Sequence, residues 1–431
     1  MKSTESLPSI HEILASDGLC AHFQPILSAK QKSIVGLEAL ARGVAGVEAM
    51  SMGSALIDGR WIPPETLFQM AKREGVTEQL EQLCQDKAVK SFASLENRPE
   101  GLVLFVNFDP SAVREDYGAA EHLHRLVRSV GISPRNVAIE ILESRIDDFA
   151  LLCSLFDRFR DWGFLVVLDD VGAGHSNLNR IPLIRPDILK VDRGLITNVD
   201  GDYYKQETLK SLVGLSRRIG ALIVAEGVET ESEAIVAMEL GTDLLQGHFL
   251  SRPHQITTFD DHVLLDATDR AAALARKFKS HMVAKINRQK LQHRQFNVIL
   301  NRILCDLTNA AASEFDLLLT RTIAQYPNVE CIYVLDEGGI QVTGTICNAN
   351  IPKNESGVMF QPAPKGADHS LKEYYYILMD VELQKFTTDP YVSLASGNLC
   401  RTISTAFRDA ANNKMYVLCI DVDGGDGRVM P

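Results

Sequence analysis

Up to about residue 255, short apolar or β-branched runs alternate with longer stretches of helical periodicity, and most of the runs carry a polar side chain near their end. That rhythm predicts parallel strands joined by helical crossovers. The runs are HFQPIL from His22, SIVGLEALAR from Ser33, LVLFVNF from Leu102, VAIEILE from Val137, FLVVLDD from Phe164, ILKVD from Ile188, ALIVAEG from Ala221 and DLLQGHFL from Asp243. Eight strands in about 250 residues suit a (β/α)8 TIM-like barrel better than an open sheet, which would show a glycine-rich phosphate loop after its first strand. The first strand need not run parallel, because only a short turn around Ala29 to Lys32 precedes the second. Pro63-Pro64 marks a helix start. Gly163, Gly220 and Gly241 each follow a helical pattern, where a helix end favours a residue that tolerates positive φ.

Beyond Pro253 the pattern changes. Asp260 to Asn309 contains no glycine or proline and reads as one or two long helices, with the basic stretch from Arg276 to Arg294 forming a solvated face. The remainder reads as a helix (Ala311 to Tyr326) followed by the β-rich segments VECIYVLDEGG, IQVTGTIC, YYYILMDVELQKF and KMYVLCIDV, with Asp336 to Gly339 as a hairpin turn. The expected organisation is a barrel at 1–255, a helical linker at 256–309 and a small α+β domain at 310–431. Apolar residues at 45% and charged residues at 23% exclude disordered and collagen-like chains. The net charge of −12 argues against a nucleic-acid polymer as partner. The eight cysteines are scattered without a C-x-x-C pair, which speaks for reduced thiols rather than a zinc cage. The N-terminus does not read as a secretory signal, and no uninterrupted apolar window reaches the roughly 18 residues of a membrane span; a cytoplasmic location is expected.

The polar residues that interrupt the strands are consistent in kind. Asn107 shares an alternating face with Val103 and Phe105, and Glu140 with Ala138; Asp169 and Asp170 close their run, and Lys190, Glu226 and Gln246 lie in theirs. In a parallel barrel such strand ends converge on the C-terminal rim, where active sites lie. Carboxylates crowded there must take up protons or bind cations. Oxygen donors without His or Cys suit Mg²⁺ or Mn²⁺, and the adjacent Asp169 and Asp170 suit two ions. Metal-assisted phosphoester hydrolysis is the favoured class, and an aldolase- or enolase-type barrel is the alternative that spacing alone leaves open.

The string GLEALAR at Gly36 to Arg42 resembles the signature of the EAL family of cyclic di-GMP phosphodiesterases. FQPIL before it and VNFDP, IEILES, LDDVGAGHSNL, LKVD, AEGVET and QGHFLSRP after it stand in that family's order. The resemblance implies two divalent ions, with Glu38, Asn107, Glu140 and Asp169 holding one, and Asp169 and Asp170 the other near Glu226. It assigns Lys190 to the nucleophilic water, Gln246 to the phosphate environment, Glu143 to the loop after the aspartate pair, Glu229 to a supporting acid, and Gln24, Leu40, Arg42 and Pro253 to the substrate. The implied reaction opens one phosphodiester bond of cyclic di-GMP to give linear pGpG, in a protein expected to be a homodimer. Departures from the family pattern are Gly43 in place of an aromatic residue, Val171, Ala173, His175 and Asn177 in the loop after Asp170, and His248 in place of a tyrosine. They motivate the alternative of a degenerate barrel that binds the dinucleotide without cutting it.

The C-terminal part resembles the PAS- or Cache-like sensory domain that follows some EAL domains, on the hairpin phrase and Asp389-Pro390-Tyr391. The resemblance implies a regulatory unit in which Tyr374, Tyr375, Tyr376, Asp389, Tyr391 and Arg401 line a small-molecule pocket, or one that serves dimerisation, with the tyrosines as core residues.

Overall fold

A computed structural model describes residues 9–16, 18–44, 61–109, 117–142, 149–173, 180–349, 361–393 and 396–424. Two compact units divide the chain, Met1–Val283 and Ala284–Pro431. In the first, the strands are β1 (Leu19–Ser28), β2 (Ser33–Val44), β3 (Trp61–Ile62), β4 (Val103–Phe108), β5 (Val137–Leu142), β6 (Leu165–Val171), β7 (Ile188–Val191), β8 (Leu222–Ala225) and β9 (Leu244–Leu245). Their order is β1-β9-β8-β7-β6-β5-β4-β2-β3, and a further β1–β2 pairing closes eight of them into a barrel with β3 appended. β2 and β4 to β9 form parallel pairs, whereas β1 is antiparallel to both β2 and β9. The reversal follows from the connection, since a turn of a few residues can join only antiparallel neighbours.

Side chains alternate across each strand, and the alternation separates two cores. Leu104, Val106, Ile139, Val166, Leu168, Leu189 and Ile223 pack outward into a large cluster with helix residues such as Phe92, Leu123 and Phe156. Ile26, Phe105, Ala138, Val167, Ile188, Val224 and Leu244 form a separate buried cluster, the apolar layer inside the barrel. β2 contributes Gly36 at this level, where a Cβ would lie 2.5 Å from Phe105 Cε2. The Phe105 ring occupies that space, and burying it fully contributes about 1.5–3 kcal/mol.

The predicted helix punctuation is present. The helix Pro64–Glu74 opens on its proline, and Gly220 and Gly241 cap the helices Tyr203–Ile219 and Glu231–Leu240 in the left-handed conformation. The basic stretch lies in one helix, His262–Thr308. Its Leu264, Ala267, Ala271 and Leu274 join the barrel core, while Leu300, Ile303 and Leu307 join the core of the second unit. Among the described residues no helix is long and apolar enough to cross a membrane.

The second unit contains an antiparallel sheet of β10 (Val329–Asp336), β11 (Ile346–Cys347), β12 (Lys385–Thr387), β13 (Tyr391–Val392), β14 (Leu399–Arg408) and β15 (Met415–Asp423). The order is β11-β10-β15-β14-β12, with β13 on β14. Asp336 to Gly339 forms the predicted turn, closed by Asp336 N–H donating to the Ile340 carbonyl at 2.8 Å. The tyrosine run is not a strand. Glu373–Asp380 is a helix whose Tyr374, Tyr375 and Leu378 pack on Tyr333, Leu335, Val417 and Cys419 of the sheet. Their one- and four-residue spacing describes a helical stripe, which outweighs the strand preference of tyrosine.

Candidate active site

Each polar rim residue lies two positions along its strand from the apolar layer. Glu38 follows Gly36, Asn107 follows Phe105, Glu140 follows Ala138, Asp169 follows Val167, Lys190 follows Ile188, Glu226 follows Val224 and Gln246 follows Leu244. On the reversed β1 the counterpart, Gln24, precedes Ile26. A period of two places all eight on the inner face one level above the apolar layer. Barrel closure then brings together residues more than 200 positions apart, and Gln246 Nε2 donates to Gln24 Oε1 at 3.3 Å and to Glu38 Oε2. Gln24 Nε2 in turn donates to the Ser251 carbonyl at 3.1 Å.

Lys190, 1% exposed, is the centre of the rim. Its Nζ lies 2.5 Å from Glu226 Oε1, 2.6 Å from Glu140 Oε1, 3.4 Å from Glu38 Oε2 and 3.6 Å from Asp169 Oδ1. Burial disfavours the ammonium, but Asp169, Glu140, Glu226 and Glu38 outweigh it and hold Lys190 well above its ordinary value. One ammonium does not satisfy four acids. Burial first, then Glu38, pushes the Glu140 carboxyl far up; burial also raises Glu226 and Asp169 despite Lys190. Glu38 goes the other way, because Lys190 and the Gln246 hydrogen bond overcome its burial.

At the end of β6 two consecutive acids serve the same rim. Pairing with β7 shifts register between Leu168 and Val171, and Asp170 adopts φ +55°. Such an irregularity re-aims a side chain that regular alternation would send outward. Asp170 N–H donates to Asp169 Oδ1 at 3.0 Å. Burial, then Asp169 and Asp192, pushes the Asp170 carboxyl up to about 6. Asp169, Asp170 and Glu226 each offer an oxygen, all within 4.8 Å of one another. The buried Gln246 Oε1 and both Glu140 carboxylate oxygens accept no aligned hydrogen bond. Buried oxygen donors in excess of N–H partners, on carboxyls that burial makes costly to ionise, fit a hard divalent cation.

The expected substrate residues adjoin this centre. Leu40 and Arg42 continue β2 beyond Glu38, and Arg42 Nη1 donates to the Ala41 carbonyl at 2.8 Å. Pro253 precedes His254, whose backbone exchanges hydrogen bonds with that of Phe23 at 2.7 and 3.0 Å. Leu40, Glu38 and Asn107 line a largely apolar cavity of about 280 Å³ that extends to Phe68, Cys84 and Gln85. Sequence reasoning missed this extension, whose helices come close to the rim only in the folded chain. Gly43 is buried, and a Cβ there would lie 2.9 Å from Leu67 Cδ2 and 3.1 Å from Ile62 Cβ. The absent aromatic residue therefore leaves no gap. Glu229 pairs with Arg193 at 2.7 Å. Glu143, His175 and Asn177 lie outside the described residues.

Fold and site together define an α/β barrel with one reversed strand and an acidic centre suited to divalent cations. Residues 9–253 match the EAL domain, and the chain belongs to that family. It is 26% identical over 399 residues to the uncharacterized EAL-domain containing protein YkuI of Bacillus subtilis, spanning 91% of this chain and 92% of YkuI. The probable cyclic di-GMP phosphodiesterase PdeB of Escherichia coli is 26% identical over 243 residues, 56% of this chain and 44% of PdeB. The crystal structure of YkuI in complex with substrate c-di-GMP and calcium superposes with a TM-score of 0.75 at 25% identity, over 97% of this chain and 99% of that one.

Proposed function

We propose that the protein hydrolyses one phosphodiester bond of cyclic di-GMP to linear pGpG with two divalent ions, Mg²⁺ or Mn²⁺, and that the C-terminal unit modulates this activity. The observation that carries the reading is the unbroken polar level of the barrel, Glu38, Asn107, Glu140, Asp169, Lys190, Glu226, Gln246 and Gln24. Glu38, Asn107, Glu140 and Asp169 would hold one ion, and Asp169 with Asp170 the second beside Glu226. Bound there, such ions supply Lewis-acid stabilisation of the phosphate oxygens and acidify an attacking water.

The chain's own groups do the rest. Lys190, anchored among the carboxylates, orients the water and offsets charge on the phosphate. Gln246, tied through its Nε2 to Glu38 and Gln24, keeps its buried Oε1 available to accept a hydrogen bond. Arg42 donates charge-assisted hydrogen bonds to phosphate, and Leu40, Gln24 and Pro253 shape the surface on which the dinucleotide lies. The full-length similarity to YkuI supports treating both units as one signalling protein.

The test is chromatography of cyclic di-GMP incubated with the protein and Mn²⁺. Linear product that disappears on chelation supports the reading. Calorimetric binding with no product under any divalent ion contradicts it and favours the receptor alternative.

A further inference from the structure

β10 and β11 are antiparallel neighbours, and their register sets Cys331 directly opposite Cys347. Asn348 N–H donates to the Glu330 carbonyl at 2.8 Å, so that adjacent pair is the hydrogen-bonded one. The cysteines occupy the next, non-hydrogen-bonded pair, where facing Cα atoms approach to about 4.5 Å and side chains come closest. That separation falls inside the roughly 4.4–6.8 Å that a disulfide spans. Neither cysteine is in a disulfide. The remaining sheet cysteines have different partners, Cys400 facing Tyr391 and Asp423, and Cys419 facing Tyr333 and Ser404.

We propose that Cys331 and Cys347 are a redox-responsive pair that closes to a disulfide when hydrogen peroxide reaches the edge strand β11. The two positions differ in access, Cys331 being 1% exposed and Cys347 only partly buried on the edge strand. The hydrogen bond to Cys347, then burial, and the fields of Asp421 and Glu330 keep the Cys331 thiol protonated. Oxidant reaches the partly buried Cys347 before the enclosed Cys331, so Cys347 is the sulfur oxidised first. As its thiolate, it attacks one peroxide oxygen; the O–O bond breaks, a sulfenic acid forms and the other oxygen leaves as water after taking up a proton. The Cys331 sulfur then attacks the Cys347 sulfur, the S–S bond forms as S–O breaks, and a second water leaves with the Cys331 proton. Two thiols give up two electrons and two protons, and the peroxide is reduced to two waters.

The full chain is treated with hydrogen peroxide, alkylated, and digested at Glu337, which separates the two cysteines in sequence. The expected result is a pair of fragments joined through Cys331 and Cys347, lighter by two hydrogens than the free thiols and released by dithiothreitol. In Cys331→Ser, Cys347 is expected to be trapped as a sulfenic acid by dimedone; in Cys347→Ser, Cys331 is expected to stay reduced over the same time. Recovery of both wild-type cysteines as separate fragments, or oxidation of Cys331 at the wild-type rate in Cys347→Ser, would overturn the proposal.

Discussion

Lys190 lies within 3.6 Å of four carboxylates, and the consequences of losing it can be stated. In Lys190→Met the acids face one another without a cation, so metal-free stability near neutral pH is expected to fall by about 3 kcal/mol. The loss should shrink in acid, where those carboxyls bind protons, and denaturant melts at two pH values measure it. Turnover should fall by about 10²- to 10⁴-fold with a smaller change in KM. Asp170 gives a pH dependence of definite sign. Its carboxyl stands at about 6 in the fold against about 3.9 in an unfolded chain, so its contribution to metal-free stability is present below about 4 and is lost as pH rises through about 6. A divalent ion binds the ionised form and reverses this, so the rise in Tm produced by Mn²⁺ should be larger at about pH 7.5 than at about pH 5. Equal shifts at both would remove Asp170 from the ion site.

Single strands and helices account for what was legible in the sequence and what was not. The polar level of the barrel was readable because a period of two ties each rim residue to an apolar neighbour, as with Phe105 and Asn107. β9 is only two residues long, but Gln246 inherits its place from Leu244. β14 falls outside the β-rich segments that the sequence suggests, because Arg401, Thr402, Ser404 and Thr405 break its apolar run, although Thr402 and Ser404 are fully buried. The tyrosine helix misled through residue type. The meaning of Gly43 depended on tertiary contact, since Leu67 fills its space from a helix more than 20 residues later. Restoring an aromatic residue with Gly43→Phe is therefore expected to destabilise the barrel by about 1–3 kcal/mol. Leu67→Ala in the same chain should recover part of the loss, and a double-mutant cycle on denaturant melts reads the coupling. Strict additivity would contradict the packing described here.

Across the whole molecule, two units with separate cores share the helix His262–Thr308. The acidic rim lies in one of them. Calorimetry of the full chain is expected to show a transition that Mn²⁺ raises and another that it leaves unchanged; a single transition moving as one would show the units melting together. The net charge of −12 takes on a more specific meaning at this scale. Carboxylates gathered on the barrel rim form part of it, and cations bound there would let an acidic protein accept a small phosphodiester while its outer surface repels longer polyanions. The most direct test of the central claim is product formation from saturating cyclic di-GMP as Mn²⁺ is titrated into wild type and Asp170→Asn. Metal-dependent linear product from wild type, with turnover more than about 100-fold slower but dinucleotide binding retained in the variant, is the predicted result. No product from wild type at any Mn²⁺ concentration, or equal rates in the two proteins, would contradict it.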